Sequence, residues 1–264
     1  MPLLLMLASC GTAYDPVDDI PHRVLPNTGA AIRAILAEAG DAQVYAIGEY
    51  HATAPLQTRA PLEHFTDDIV GRLSPWADDL VVEAWFDASC ANDDTVQAQI
   101  QAVTNRPAEA ADLTQLTAKM PLHGLPTTCI EHSSVLDAKG RVDFFRLLVM
   151  VTDKLRESTE RLIAKGHSVI VYGGALHNDL YPRFALDELS YAHAIAKKTS
   201  VLEIDLVVPE VVEPLKVLWQ EPWYPLLSRS APDRVILWER GPRSYVVILP
   251  AKSTAVAQRI RVTW

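Results

Sequence analysis

Cysteine is scarce in this chain, three in 264 residues, too few for a disulfide framework to stand in for a hydrophobic core. Basic residues are in deficit, 24 Lys and Arg against 33 Asp and Glu, for a formal net charge of −9 and a pI near 5.3. A phosphate-binding surface needs the opposite balance, so nucleic acid is excluded as a main partner. No apolar run approaches the roughly 20 residues of a membrane-spanning helix, and the chain has no internal repeat or low-complexity tract. Several catalytic signatures are missing too. There is no Walker A pattern, and "GGALHN" lacks the three-glycine spacing of a dinucleotide fingerprint. There is neither a G-x-S-x-G elbow nor an H-E-x-x-H pair. Chemistry is thereby left to His and Glu side chains, acting on a water or holding a metal.

What is present suffices for one large core. With 49% hydrophobic and 22% charged residues, a single elaborated α/β domain is expected over residues 28–264 rather than two small ones. The N-terminus is apolar, and the Leu7-Ala8-Ser9-Cys10 ending of "MPLLLMLASC" resembles the lipobox of bacterial lipoproteins. Residues 1–10 then read as a signal remnant with Cys10 lipidated, and the polar, Pro-containing residues 11–27 as a tether. Such a protein is anchored to a membrane surface in the bacterial envelope rather than spanning it. Cys90 and Cys129 remain, as a disulfide or as two buried thiols.

From residue 28 helix and strand patterns alternate. Thr28 reads as an N-cap and Gly40 as a stop around "GAAIRAILAEA". "QVYAIG" is a first strand, residues 56–73 show helical spacing, and "DDLVVEAW" is a second strand. A polar stretch, 87–120, is expected to form a helical insertion covering one edge of the sheet. "PTTCIEH" reads as a third strand, and a long amphipathic helix then ends at Gly166. "HSVIVYGG" is a fourth strand, "LDELSYAHAIAKK" a helix and "SVLEIDLVV" a fifth strand. "DRVILWERGPRSYVVILP" reads as a hairpin turned at Gly241 and Pro242. The expected fold is α/β, a mostly parallel sheet flanked by helices on both faces with a C-terminal antiparallel edge hairpin.

Ligands of open α/β sheets sit outside the carboxyl ends of the strands, and here those ends carry reactive groups. Glu49 and His51 follow the first strand, Glu83 ends the second, Glu131 and His132 the third. Gly173, Gly174, His177, Asn178 and Asp179 follow the fourth, and Glu203 and Asp205 lie on the fifth. Each has a plainer role open to it: Glu49 as a helix cap, His51 bonded to a loop carbonyl, Glu203 and Asp205 in structural salt bridges. Glu83, flanked by apolar residues in "VVEAW", needs a partner or a raised pKa. The Gly173-Gly174 pair implies positive φ or a close approach. His64, His123, His167 and His193 read as surface or core histidines.

The two G-x-x-H segments, Gly48-Glu49-Tyr50-His51 and Gly174-Ala175-Leu176-His177, with Glu83 between them, resemble those of a known superfamily. It comprises the ChaN haem-binding lipoproteins, the EreA-type erythromycin esterases and the TraB and Tiki proteins. The resemblance covers about residues 43–180, and it implies that Glu49, His51, Glu83 and His177 line one cleft at the carboxyl ends of a parallel sheet.

Two functions then stand open. In the first, a hydrolase acts on a small-molecule or peptide ester or amide, with a water between His51 and His177. Glu49 or Glu83 serves as general base or as ligand to a divalent metal, Zn or Mn, and Tyr172 or Tyr181 donates a hydrogen bond. In the second, a ChaN-like lipoprotein binds haem through a His or Tyr without catalysis, with Trp85, Trp223 and Tyr224 around an apolar pocket.

Overall fold

The computed structural model describes residues 16–51, 58–84, 116, 118–125, 134–183 and 185–252. Its centre is an eight-stranded sheet. The strands are β1 (Arg23–Leu25), β2 (Val44–Glu49), β3 (Asp79–Val82), β4 (Leu122–His123), β5 (Val169–Gly174), β6 (Val201–Val207), β7 (Val235–Gly241) and β8 (Ser244–Ile248). Their order is β1-β7-β8-β6-β2-β5-β3-β4, and only β7 runs against its neighbours. The expected α/β fold, mostly parallel with an antiparallel edge pair, is what the chain adopts.

Burial explains the parallel centre. β2, β5 and β6 are buried at every residue, as strands covered on both faces must be. Alternate residues enter different cores: Tyr45, Ile47, Ile170 and Tyr172 on one face, Val44, Ala46, Val169 and Val171 on the other. The first face is covered by α1 (Thr28–Ala39) and by the helical run of α2 (Pro61–His64), a π turn (Phe65–Ile69) and α3 (Val70–Leu73). The second is covered by α4 (Phe144–Ile163) and α6 (Tyr191–Ala196). At roughly 1.5–3 kcal/mol for each fully buried Ile, Leu or Val, these two layers fix which way every strand faces.

Several local expectations are met. Gly40 caps α1 with φ 66°, its N–H donating to the Leu36 carbonyl at 3.0 Å. Gly166, at φ 88°, ends α4 through bonds from its own N–H to Ile163 and from the His167 N–H to Leu162. The β7–β8 hairpin forms but turns one residue later than the expected Gly241 and Pro242: Gly241 still pairs with Ser244, so the turn falls on Pro242 and Arg243, the latter at φ 63°.

Others are corrected. The N-cap of α1 is Asn27, not Thr28: Asn27 has the extended backbone of a cap and its Oδ1 accepts from the Ala30 N–H at 2.9 Å, whereas Thr28 is already helical. Residues 11–27 are not a tether throughout. From Pro16 the chain forms a 3-10 turn and then β1, held by the buried Val17 and by hydrogen bonds from Arg229 to Asp18 and Arg23 to Glu38. The strand beside β3 is Leu122–His123, upstream of the expected "PTTCIEH". Residues 126–133, with Cys129, Glu131 and His132, lie outside the described residues, as do Cys10, Trp85, Cys90 and nearly all of the expected insertion at 87–120.

Candidate functional site

The chain leaves two adjacent parallel strands on opposite faces of the sheet. After β2 it goes to α2 and α3 on one face; after β5 it goes to α5 (Ala175–Asn178) and α6 on the other. Such a divergence opens a crevice at the carboxyl ends. Four of the residues singled out from the sequence meet there.

Glu49 is the last residue of β2, paired in register with Gly174 of β5. Only 6% of it is exposed, and both carboxylate oxygens are engaged. His51 Nδ1–H donates to Oε1 at 2.5 Å, and the Tyr172 hydroxyl donates to Oε2. Because a carboxylate can only accept, the first contact places the His51 proton on Nδ1 and leaves Nε2 as the basic nitrogen. Tyr172 is itself held by stacking on Phe65, centroids 4.4 Å apart.

Glu83 follows β3 on the other side of β5. Its Oε2 accepts from the Gly174 N–H at 2.6 Å and stands 4.0 Å from His51 Nε2. The Glu83 N–H donates to the Tyr172 carbonyl, so the β3–β5 ladder extends one residue past the strand and aims the side chain. A buried carboxylate needs such partners.

His177 sits on α5, 3% exposed. Its Nδ1 lies 3.2 Å from the Leu189 carbonyl and 2.7 Å from Thr152 Oγ1, while that hydroxyl donates to the Leu148 carbonyl at 2.9 Å. A carbonyl only accepts, so Nδ1 carries the proton here as well. α4 and the segment before α6 thereby lock the ring.

Gly174 is the pivot. A Cβ there would stand 2.9 Å from His51 Nε2 and 3.5 Å from both Glu83 Oε2 and His177 Cδ2. Its φ is −62°, so the glycine is required by close approach and not by positive φ. Gly173 is of the same kind, since its Cβ would meet Glu83 Oε2 at 3.0 Å.

The remaining candidates fall elsewhere. Tyr181 is 44% exposed, donates to the Pro242 carbonyl and packs on Gly241, with the β7–β8 turn rather than the His and Glu cluster. Tyr224 donates to the Glu213 carbonyl. As for a metal, no three His, Cys, Asp or Glu side chains converge as ligands among the described residues. Hydrogen bonds at Nδ1 orient both His51 and His177 as they would metal ligands through Nε2, but no third ligand joins them among the described residues.

Beside the crevice lies a second polar group. Glu203 and Asp205 share one face of β6, and Asp179 pairs bidentately with Arg240 at 2.7 and 3.0 Å. Glu203 Oε1 is 3.5 Å from Arg240, whereas Asp205 Oδ1 has no hydrogen-bond partner among the described residues. The expected structural salt bridge therefore holds for Glu203 and not for Asp205. Burial pushes the Glu203 carboxyl up to about 7. Burial first, and then the Glu203 charge, hold Asp205 well above the usual carboxylate range. A third group was not foreseen. At the opposite edge Asp79 accepts from His123 at 2.7 Å and from His167 at 2.5 Å. The two histidines are 44 residues apart in sequence, so only strand pairing brings them together.

No family model and no curated protein sequence matches the chain. Among solved structures it is similar to the type III effector HopBA1, at 13% identity over 88% of this chain and 97% of that one, with a TM-score of 0.44. That likeness is too distant to carry function.

Proposed function

We propose that the chain is a hydrolase that activates water on an ester or amide of a small molecule or peptide, and that it is a member of the ChaN, EreA and TraB–Tiki superfamily. The observation that carries the reading is the convergence of Glu49, His51, Glu83 and His177 around Gly174, from three neighbouring strands. Glu49 acts as the orienting carboxylate: it fixes the His51 tautomer and stabilises the imidazolium that forms when Nε2 takes a proton from water. Glu83 stands across from that nitrogen and steadies the water. His177, with its proton on Nδ1, offers Nε2 as a second base or, once protonated, a donor to the developing oxyanion. No step here runs through a metal.

The proposal includes an envelope location through a lipid on Cys10. The test is a panel of chromogenic esters and amides with the wild type, His51→Ala and His177→Ala. Each variant should lose about 10²–10⁴-fold in rate while its circular dichroism stays native. Full activity in both variants would reject the cleft. A saturable Soret band on adding haem, with no turnover of any substrate, would move the chain to the haem-binding branch of the superfamily.

A further inference from the structure

A cavity of about 250 Å³ opens beside the crevice, on the other side of α5. Tyr50, Trp223 and Trp238 give it aromatic walls, and Leu176 and Val246 add apolar surface. Its described lining includes none of Glu49, His51, Glu83 or His177. Since about 150 Å³ already accommodates benzene, this volume suits an aromatic ring with a short substituent.

The charges in the lining do not balance. Arg240 is committed to Asp179, and Arg183 donates to Glu221 at 2.7 Å. Asp205 is left over. It is only 4% exposed and faces the cavity, and its Oδ1 has no hydrogen-bond partner among the described residues. A buried polar atom without a partner is costly and calls for an explanation. Oδ1 lies against Gly48, where a Cβ would stand 2.0 Å from it, and that contact brings no donor.

We propose that this cavity binds a small organic ammonium ion, its charge on the Asp205 carboxylate and its apolar body among Tyr50, Trp223 and Trp238. An ammonium group supplies the donors that Asp205 lacks, and aromatic faces attract a cation. The direction of the Asp205 pKa agrees. Burial comes first in raising it, and the negative charges of Glu203 and Asp179 add to the rise; a bound cation would offset those charges. The inference concerns binding alone and stands whether or not the neighbouring crevice hydrolyses anything.

The test is calorimetric titration of the full chain with phenethylamine and with phenethyl alcohol, which differ only in the ammonium group. The amine should bind saturably and at least about tenfold more tightly than the alcohol. Asp205→Asn should abolish that preference. Leu176→Trp, at a partly exposed position on the cavity wall, should block both probes and keeps the test valid if Asp205→Asn does not fold. Three results would overturn the proposal: no saturable binding of the amine, equal affinity for the two probes, or a preference that survives Asp205→Asn.

Discussion

Glu203 offers a quantitative check on the polar group beside the crevice. The residue is wholly buried in β6, with the Leu180 N–H donating to Oε2 at 3.1 Å and Arg240 3.5 Å from Oε1. Burial raises its carboxyl from 4.5 to about 7; the Asp179 charge adds to the rise and the Arg240 charge opposes it. At about 1.36 kcal/mol per unit, that rise corresponds to about 3 kcal/mol. The folded state then holds a proton that the unfolded chain gives up. Stability is thus fully present below 4.5 and is lost as the pH climbs through about 7, with no further change above. Glu203→Gln keeps the acceptor for Leu180 and cannot ionise. It also eases ionisation of Asp205, which the Glu203 charge helps to hold protonated, an effect of the same sign. In urea unfolding of both proteins, the variant should gain about 3 kcal/mol on the wild type between about pH 5 and about pH 8. Curves that run parallel across that range would refute the reasoning.

Two further substitutions bear on the fold and the crevice. Gly174→Ala places a methyl 2.9 Å from His51 Nε2, the far end of a partly exposed ring. The fold should survive while turnover drops by up to about 100-fold, as a misplacement of about 1 Å can cause; an unchanged rate would remove His51 from the chemistry. Asp79→Asn should destabilise by about 1 kcal/mol at neutral pH, because it weakens two charge-assisted bonds to half-exposed imidazoles. Burial alone would raise the Asp79 carboxyl, but the His123 and His167 bonds outweigh it and leave it below 3.8. The wild-type advantage should therefore hold above 3.8 and fade as the pH falls through the lower folded value. An advantage that persists through acid unfolding would argue against the clamp.

The site was legible where chemistry and strand position coincide. β2 and β5 are short apolar runs that end in Glu or in Gly-Gly, so Glu49 and Gly174 could be placed at one sheet edge before any contact was known. That edge also carries Glu83 and His177, since parallel strands put all their carboxyl ends on one side. The rest depended on information that a linear pattern does not hold. Strand order brings Asp79 between His123 and His167, and no local signal announces it. β1 was hidden because a three-residue, mostly exposed edge strand has too few side chains to show a period. Thr28 and Asn27 are both good caps, so sequence alone could not choose between them. Asp205 did leave a signal: Glu203 and Asp205 are the only charges in a fully buried seven-residue strand. A salt bridge was the nearest explanation, and the cavity became visible only once β7 and the segment around Trp223 were in place.

The four residues of the G-E-Y-H segment are all used, on two sides of the sheet. Gly48 faces one way and clears space for the Asp205 carboxylate and for the backbone of Ala175, whose Cα would lie 2.9 Å from a Cβ there. Glu49 faces the other way and orients His51. Tyr50, between them, becomes a cavity wall and packs on Trp223 with centroids 5.5 Å apart. One short motif is thus divided between a crevice and a cavity just past the end of β2. α5 joins them again. Ala175 rests on Gly48, Leu176 lines the cavity and His177 enters the crevice, all within a single helical turn. A ligand pressing on Leu176 therefore acts on the same turn that aims the His177 ring, which Nδ1 anchors to Thr152 and Leu189.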